Sequence, residues 1–217
     1  MNARMNAQRR RMLAAGGIAL FAAPLPGRAQ WWSYLRAPRT MVEVSELLDT
    51  RFPDVPRLTT AALADELARG DSPLLLDVRE QAEFDVSHLP GALHAPNATT
   101  ALRLAASLAP GSRIVTYCSI GYRSASVARA LSEAGHVNVV NLDGSIFKWA
   151  NEGRPIVRDS LVEAAASAGK DADPRAGANG APAGKTTAAR TVHPYDAQWG
   201  QLLDAPLRAP LAPSGQP

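Results

Sequence analysis

Cys118-Ser119-Ile120-Gly121-Tyr122-Arg123 stands between a short apolar run, Ile114 to Tyr117, and a helix-patterned stretch, Ser124 to Ala134. Cys118 is the only cysteine of the chain. A thiol at a strand-to-helix turn meets free backbone N–H groups and the positive end of a helix dipole. Such a place binds anions and lowers a thiol pKa, so more of the thiol is ionised at neutral pH. Gly121 lets the loop curl through positive φ, and Arg123 adds a fixed charge with forked donors. A lone cysteine is more often a small buried hydrophobe. A core cysteine has no need of a glycine, an arginine and a helix start packed behind it, so the stretch reads as a thiolate nucleophile in an oxyanion cradle.

Outward from this loop, apolar runs alternate with helical patterns. Thr59 or Thr60 caps a helix carrying Leu63 and Leu67 on one face. Leu74-Leu75-Leu76 forms a strand ending in Asp77-Val78-Arg79. A helix over Glu80 to Ser87, a strand over Ala92 to His94 and a helix over Thr100 to Leu108 follow. Beyond the cysteine, Val137 to Leu142 is a strand and Ser145 to Asn151 a helix. The strands are continuously apolar rather than alternating, the pattern of a parallel sheet covered on both faces. The expected fold is a small doubly wound α/β domain: a parallel sheet flanked by helices. Ligands in such folds bind beyond the carboxyl ends of the strands, where Cys118 and Arg79 both fall.

The ends of the chain differ from this middle. Residues 1–29 hold five arginines and no acid, and the formal charge of +3 less these five leaves −2 for the remainder. The basic balance therefore belongs to the N-terminus and gives no case for nucleic-acid binding. Gln8-Arg9-Arg10-Arg11 leads into an apolar stretch from Met12 to Ala23, broken by Pro24 and Pro26. Gly27 and Ala29 are the small residues of a cleavage site. The stretch is 12 residues long, too short for a stable membrane span, which takes about 20. Arg9-Arg10-Arg11-Met12-Leu13 resembles a twin-arginine export signal. The expectation is a protein exported to the periplasm and cleaved near Ala29. An odd cysteine in an exported protein points to a reactive thiol.

Residues 30–56 read as a lead-in, with an aromatic cluster (Trp31, Trp32, Tyr34) and a short helix over Met41 to Leu48. Residues 159–217 read as a flexible tail rich in Ala, Gly and Pro, dispensable for the chemistry. Within it, Val192 to Leu203 carries Tyr195, Trp199 and Leu202, either a docking peptide or stray aromatics in a disordered end. The four histidines, His88, His94, His136 and His193, show no paired ligand spacing. No metal or other cofactor is expected, and no nucleotide-binding glycine motif appears.

Several separated motifs resemble the rhodanese family of sulfurtransferases over residues 57–158. They are Leu76-Asp77-Val78-Arg79, Glu83-Phe84 with His88-Leu89-Pro90-Gly91-Ala92, the loop from Val115 to Ser124, and Asp143-Gly144-Ser145 with Trp149 and Gly153-Arg154-Pro155. Ser145 stands where the family commonly has a second glycine. The resemblance implies that Cys118 takes a sulfane sulfur from an anionic donor as a persulfide and passes it to a thiophilic acceptor, a small molecule or a protein thiol. It implies that Arg123 faces the donor's anionic end. Backbone N–H groups of Ser119, Ile120, Gly121, Tyr122 and Ser124 would hold the departing oxyanion. Arg79 would contact substrate, and Asp77 would support Arg79 or the loop. Glu83 and His88 fit structural roles. Related cysteine phosphatases have five residues between Cys and Arg; this chain has four, a tighter cradle that goes with sulfur. The thiosulfate enzymes carry a basic residue after the cysteine, where this chain has Ser119. A binding or persulfide-carrier module with little turnover is the rival reading.

Overall fold

The computed structural model describes residues 38–159 and 186–211. The expected export signal, the aromatic cluster at residues 31–34 and most of the Ala/Gly/Pro-rich stretch lie outside the described residues. The described part forms one compact unit.

Its centre is a five-stranded, wholly parallel sheet: β1 (Arg57–Leu58), β2 (Leu74–Asp77), β3 (Leu93–His94), β4 (Ile114–Tyr117) and β5 (Val139–Leu142). The spatial order is β1-β5-β4-β2-β3. All four residues of β4 and of β5 are buried, as expected of strands covered on both faces. The chain leaves β2 towards β3 on one side and leaves β4 towards β5 on the other. Strand order therefore reverses between β2 and β4, which opens a crevice at their carboxyl ends. Cys118 is the first residue past β4, at this crevice.

The helices begin where local chemistry caps them. The hydroxyl of Thr40 accepts from Glu43 N to start α1 (Met41–Arg51), and that of Thr59 accepts from Ala62 N to start α2 (Thr60–Ala68). Glu80 and Glu83 form a reciprocal capping box on α3 (Gln81–Val86). Asn97 caps α4 (Ala98–Ala105), which starts two residues earlier than expected, because the Asn97 side chain accepts from Thr100 N. Helix α5 (Tyr122–Glu133) and α6 (Ser145–Asn151) have no side-chain cap. Each starts from a left-handed glycine, Gly121 at φ +104 and Gly144 at φ +67.

The lead-in from residue 38 onward packs with the domain. Val44 and Leu48 of α1 are buried, and Leu48 lies against Gly121, where an added Cβ would sit 3.1 Å from Leu48 Cδ1. Arg57 joins α1 to the sheet's carboxyl edge through Ser45, Asp49 and Asp143.

Residues 186–211, expected to be part of a flexible tail, are folded. Thr186–Ala188 forms β7, antiparallel to β6 (Val157–Asp159), and Trp199–Leu202 and Ala205–Leu207 are single 3₁₀ turns. Val192, Trp199, Leu202 and Leu203 are buried. Asn151 clips the segment to α6, donating to Leu202 O and accepting from Asp204 N. The aromatic and leucine side chains carry enough apolar area to fold this end back, which a composition average over residues 159–217 hides. Trp199→Ala is therefore expected to cost about 3 kcal/mol, read as a lowered urea midpoint with one transition. An unchanged midpoint would reject this packing.

Candidate active site

The loop after β4 is tied down by its carbonyl oxygens. Cys118 O accepts from Ile146 N at 3.2 Å and Ser119 O from Phe147 N at 3.1 Å. These are N–H groups of the first turn of α6, which have no intrahelical acceptor. Gly121 O accepts from Asn141 Nδ2 at 2.8 Å and from Ala125 N at 3.1 Å. There is no cis peptide among the described residues. In a trans peptide C=O and N–H point opposite ways, so the N–H groups of Ser119, Ile120 and Tyr122 are turned away from these anchors. Gly121 N donates to Cys118 Sγ at 3.1 Å, which sets the sulfur at the N-terminus of α5. The thiol is 1% exposed.

Gly121 is required here. At φ +104 an L side chain is strained, and a Cβ would press on Leu48 and Asn141 at 3.1 and 3.2 Å. Ser145 also takes a left-handed conformation, φ 51, one that glycine adopts without strain. Its hydroxyl compensates: it accepts from Cys118 N at 3.2 Å and donates to Leu142 O at 3.1 Å.

The charged groups are paired. Arg123 holds Glu83 with two parallel hydrogen bonds of 2.8 Å each, and also donates to Ser119 Oγ at 3.0 Å. Ser119 Oγ in turn donates to Glu83 Oε1 at 2.9 Å. Burial alone would raise the Glu83 pKa, yet Arg123 outweighs it and holds the carboxyl below its ordinary value. Burial likewise opposes the Arg123 charge, and Glu83 together with Cys118 more than restores it, so the guanidinium pKa is raised. Glu83 comes from α3, after β2, and Arg123 from α5, after β4. The pair thus closes the crevice across the switch point.

Arg79, expected at the substrate, is a correction. It is 0% exposed, and Asp77 grips it through Nε and Nη2, while Ser87 O accepts from Nη2. Its remaining nitrogen, Nη1, is buried with no hydrogen-bond partner among the described residues. A charge enclosed in this way braces the β2–α3 turn. The side chains of Ile120 and Ser124 are also buried, Ser124 Oγ donating to Asn141 Oδ1 at 2.6 Å. The Tyr122 ring packs edge-on against Phe52, centroids 5.0 Å apart. Any contact of Ile120 and Ser124 with a ligand is thus through the backbone. His88 stacks on Phe84 at 4.0 Å and is bound through Nδ1 to Phe84 O.

Three groups were not expected from the chain. Asn141 braces the loop, and its signal was a polar residue inside the buried strand Val139–Leu142. Ser145 stood out only as a departure from glycine. Tyr195, far along the chain, places its ring 5.1 Å from the Arg123 guanidinium carbon; no local pattern announces that contact. A polar cleft of about 430 Å³, lined by Glu66, Arg69, Arg113 and Asn138 among others, lies at the opposite end of the sheet, beside the starts of β2 and β4.

Known proteins agree with this architecture. The model of the rhodanese-like domain family matches residues 59–152. A sulfurtransferase of Allochromatium vinosum is 36% identical over 104 residues, which is 48% of this chain and 95% of that protein. The probable adenylyltransferase/sulfurtransferase MoeZ of Mycobacterium tuberculosis is 34% identical over 99 residues, 45% of this chain, and the match spans only 25% of that protein. The crystal structure of a thiosulfate sulfurtransferase from Pseudomonas aeruginosa is similar with a TM-score of 0.49 and 23% identity, covering 59% of this chain and 26% of that one. The chain belongs to the rhodanese-like sulfurtransferase family.

Glu83→Gln is expected to lower stability at pH 7 by about 2 kcal/mol, the cost of breaking a buried pair reduced for the partial exposure of Arg123. Because the folded pKa lies below the ordinary 4.5, this contribution is complete above that value. It fades as pH falls through the folded one. Urea unfolding at pH 7 and at acid pH checks this: the gap between wild type and variant narrows in acid.

Proposed function

We propose that this protein moves a sulfane sulfur from an anionic donor, thiosulfate first, through a Cys118 persulfide to a thiophilic acceptor. The observation that carries this reading is the Gly121 N–H on Cys118 Sγ at the head of a 12-residue helix. That position stabilises negative charge on sulfur, in the thiolate and equally in the persulfide.

In the first step the Cys118 thiolate attacks the outer sulfur of thiosulfate. A sulfur–sulfur bond forms at Cys118, the donor's own sulfur–sulfur bond breaks, and its electron pair leaves on sulfite. In the second step the acceptor attacks the terminal sulfur and the electron pair returns to Cys118 as thiolate. The thiolate is the reacting form, and the attack itself transfers no proton. Arg123 shares its charge between Glu83 and the thiolate. The helix-start N–H groups are therefore the principal partners of the donor's oxygens, and Arg123 holds the loop in shape.

A carrier reading, in which a partner loads Cys118 and turnover is slow, is favoured by one observation. The thiol is 1% exposed, which suits keeping a persulfide from solvent. Incubation with thiosulfate and intact-mass measurement is expected to show one added sulfur on Cys118, released by cyanide as thiocyanate. Cys118→Ser is expected to remove transfer by roughly 1,000-fold or more while remaining folded. A stable persulfide with slow release would favour the carrier; transfer by a folded Cys118→Ser protein would overturn both.

We propose further that the chain is exported, supported by Arg9-Arg10-Arg11 ahead of the apolar stretch and by Gly27 and Ala29. Mass analysis of exported protein is expected to find a start near Gln30, and retention of residues 1–29 would reject it.

A further inference from the structure

The C-terminal segment reaches the catalytic loop through one short turn, His193-Pro194-Tyr195. Tyr195 lies over the Arg123 guanidinium at 5.1 Å, on a cation already held by Glu83 and Ser119. Its backbone is strained: φ is +66, a left-handed conformation costly for an aromatic residue. The surroundings impose that conformation. Tyr195 N donates to His193 Nδ1 at 3.0 Å. Pro194 sits tightly on Gly200, where an added Cβ would meet Pro194 Cβ at 2.7 Å. Val192 is held from both sides, donating to Leu207 O at 2.7 Å and accepting from Ala209 N at 3.0 Å. Asn151 and the buried Trp199 and Leu202 fix the rest. His193 is close enough to Glu83, Arg79 and Arg123 to feel their charges. A strained aromatic held over the active-site arginine by a dedicated, well-packed segment calls for a reason in the chemistry.

We propose that Tyr195 is a specificity-determining residue: its ring walls the approach to Cys118 and admits compact anionic sulfur donors while turning away donors with a bulky or aromatic group. This rests on the sulfur-transfer reading for its use, and on geometry for the wall itself. Cys118 is 1% exposed, and the ring stands on the arginine of the same loop; the wall requires that the route to Sγ pass beside it. A thiosulfate ion carries nothing beyond its sulfonate-like head. An arylthiosulfonate presents the same outer sulfur with an aromatic ring attached, which competes for the space of Tyr195.

The test uses the sole cysteine of the chain as its own reporter. Wild type, Tyr195→Gly and Tyr195→Phe are treated with iodoacetamide and, separately, with N-phenylmaleimide, and adducts are timed by intact mass. Glycine suits φ +66, so Tyr195→Gly removes the ring without adding strain, and thermal melts verify the fold. The expected result is a rise of about tenfold in the maleimide rate relative to the iodoacetamide rate for Tyr195→Gly, with Tyr195→Phe returning the ratio to the wild-type value. In parallel, kcat/KM for benzenethiosulfonate against thiosulfate shifts the same way. An unchanged ratio of the two alkylation rates in Tyr195→Gly would overturn the wall. A shifted alkylation ratio with no sulfur transfer from either donor would keep the wall and reject the sulfur-transfer reading. A working transfer with no shift in donor preference would reject Tyr195 as a specificity residue and keep that reading.

Discussion

Glu83 is the hinge of the site's electrostatics. Its carboxylate is 3% exposed and accepts from Ser119 and twice from Arg123. An unpaired carboxylate at that depth would be costly. Paired, it joins the helix after β2 to the helix after β4 across the point where strand order reverses. The crevice that every doubly wound sheet opens there is thereby given a fixed width and a fixed loop. Arg123 gains its orientation from the same bonds, and Ser119 is locked between the two.

The rest of the loop is shaped by satisfying backbone groups. Helix α6 starts without a side-chain cap, and its first N–H groups take the carbonyls of Cys118 and Ser119 instead. One arrangement meets two needs: α6 is capped, and the Cys118 loop presents its N–H ends elsewhere. Asn141 does the same for Gly121 O. The left-handed residues Gly121, Gly144 and Ser145 are the bends that make these bonds possible. At Ser145 the hydroxyl offsets the strain by bonding to Cys118 N and Leu142 O.

Two arginines that look alike along the chain have different fates. Arg79 and Arg123 both follow a strand by a few residues. Arg79 folds back on Asp77, two positions before it, and closes into the interior. Arg123 reaches Glu83 from another helix and remains partly open at 18% side-chain exposure. The difference is in the partner each carboxylate offers, which strand adjacency alone does not announce.

The chain's own pattern was sufficient for the parallel α/β architecture, the position of Cys118 at a strand-to-helix turn and the need for glycine at Gly121. These follow from periodicity, caps and φ preferences, all of them local. Helix α6 was legible to the residue for the same reason, with Gly144 before it and Gly153 after it. The burial of Arg79, the bracing by Asn141 and the pairing of Glu83 with Arg123 were decided by which strands become neighbours. That order, β1-β5-β4-β2-β3, is set by the global packing of helices on the sheet. Tyr195 is the extreme case. It lies 72 positions beyond Arg123 in the sequence, past a stretch of low-complexity composition. Its place on the loop arises because buried Val192, Trp199 and Leu202 gain more from the domain surface than from water.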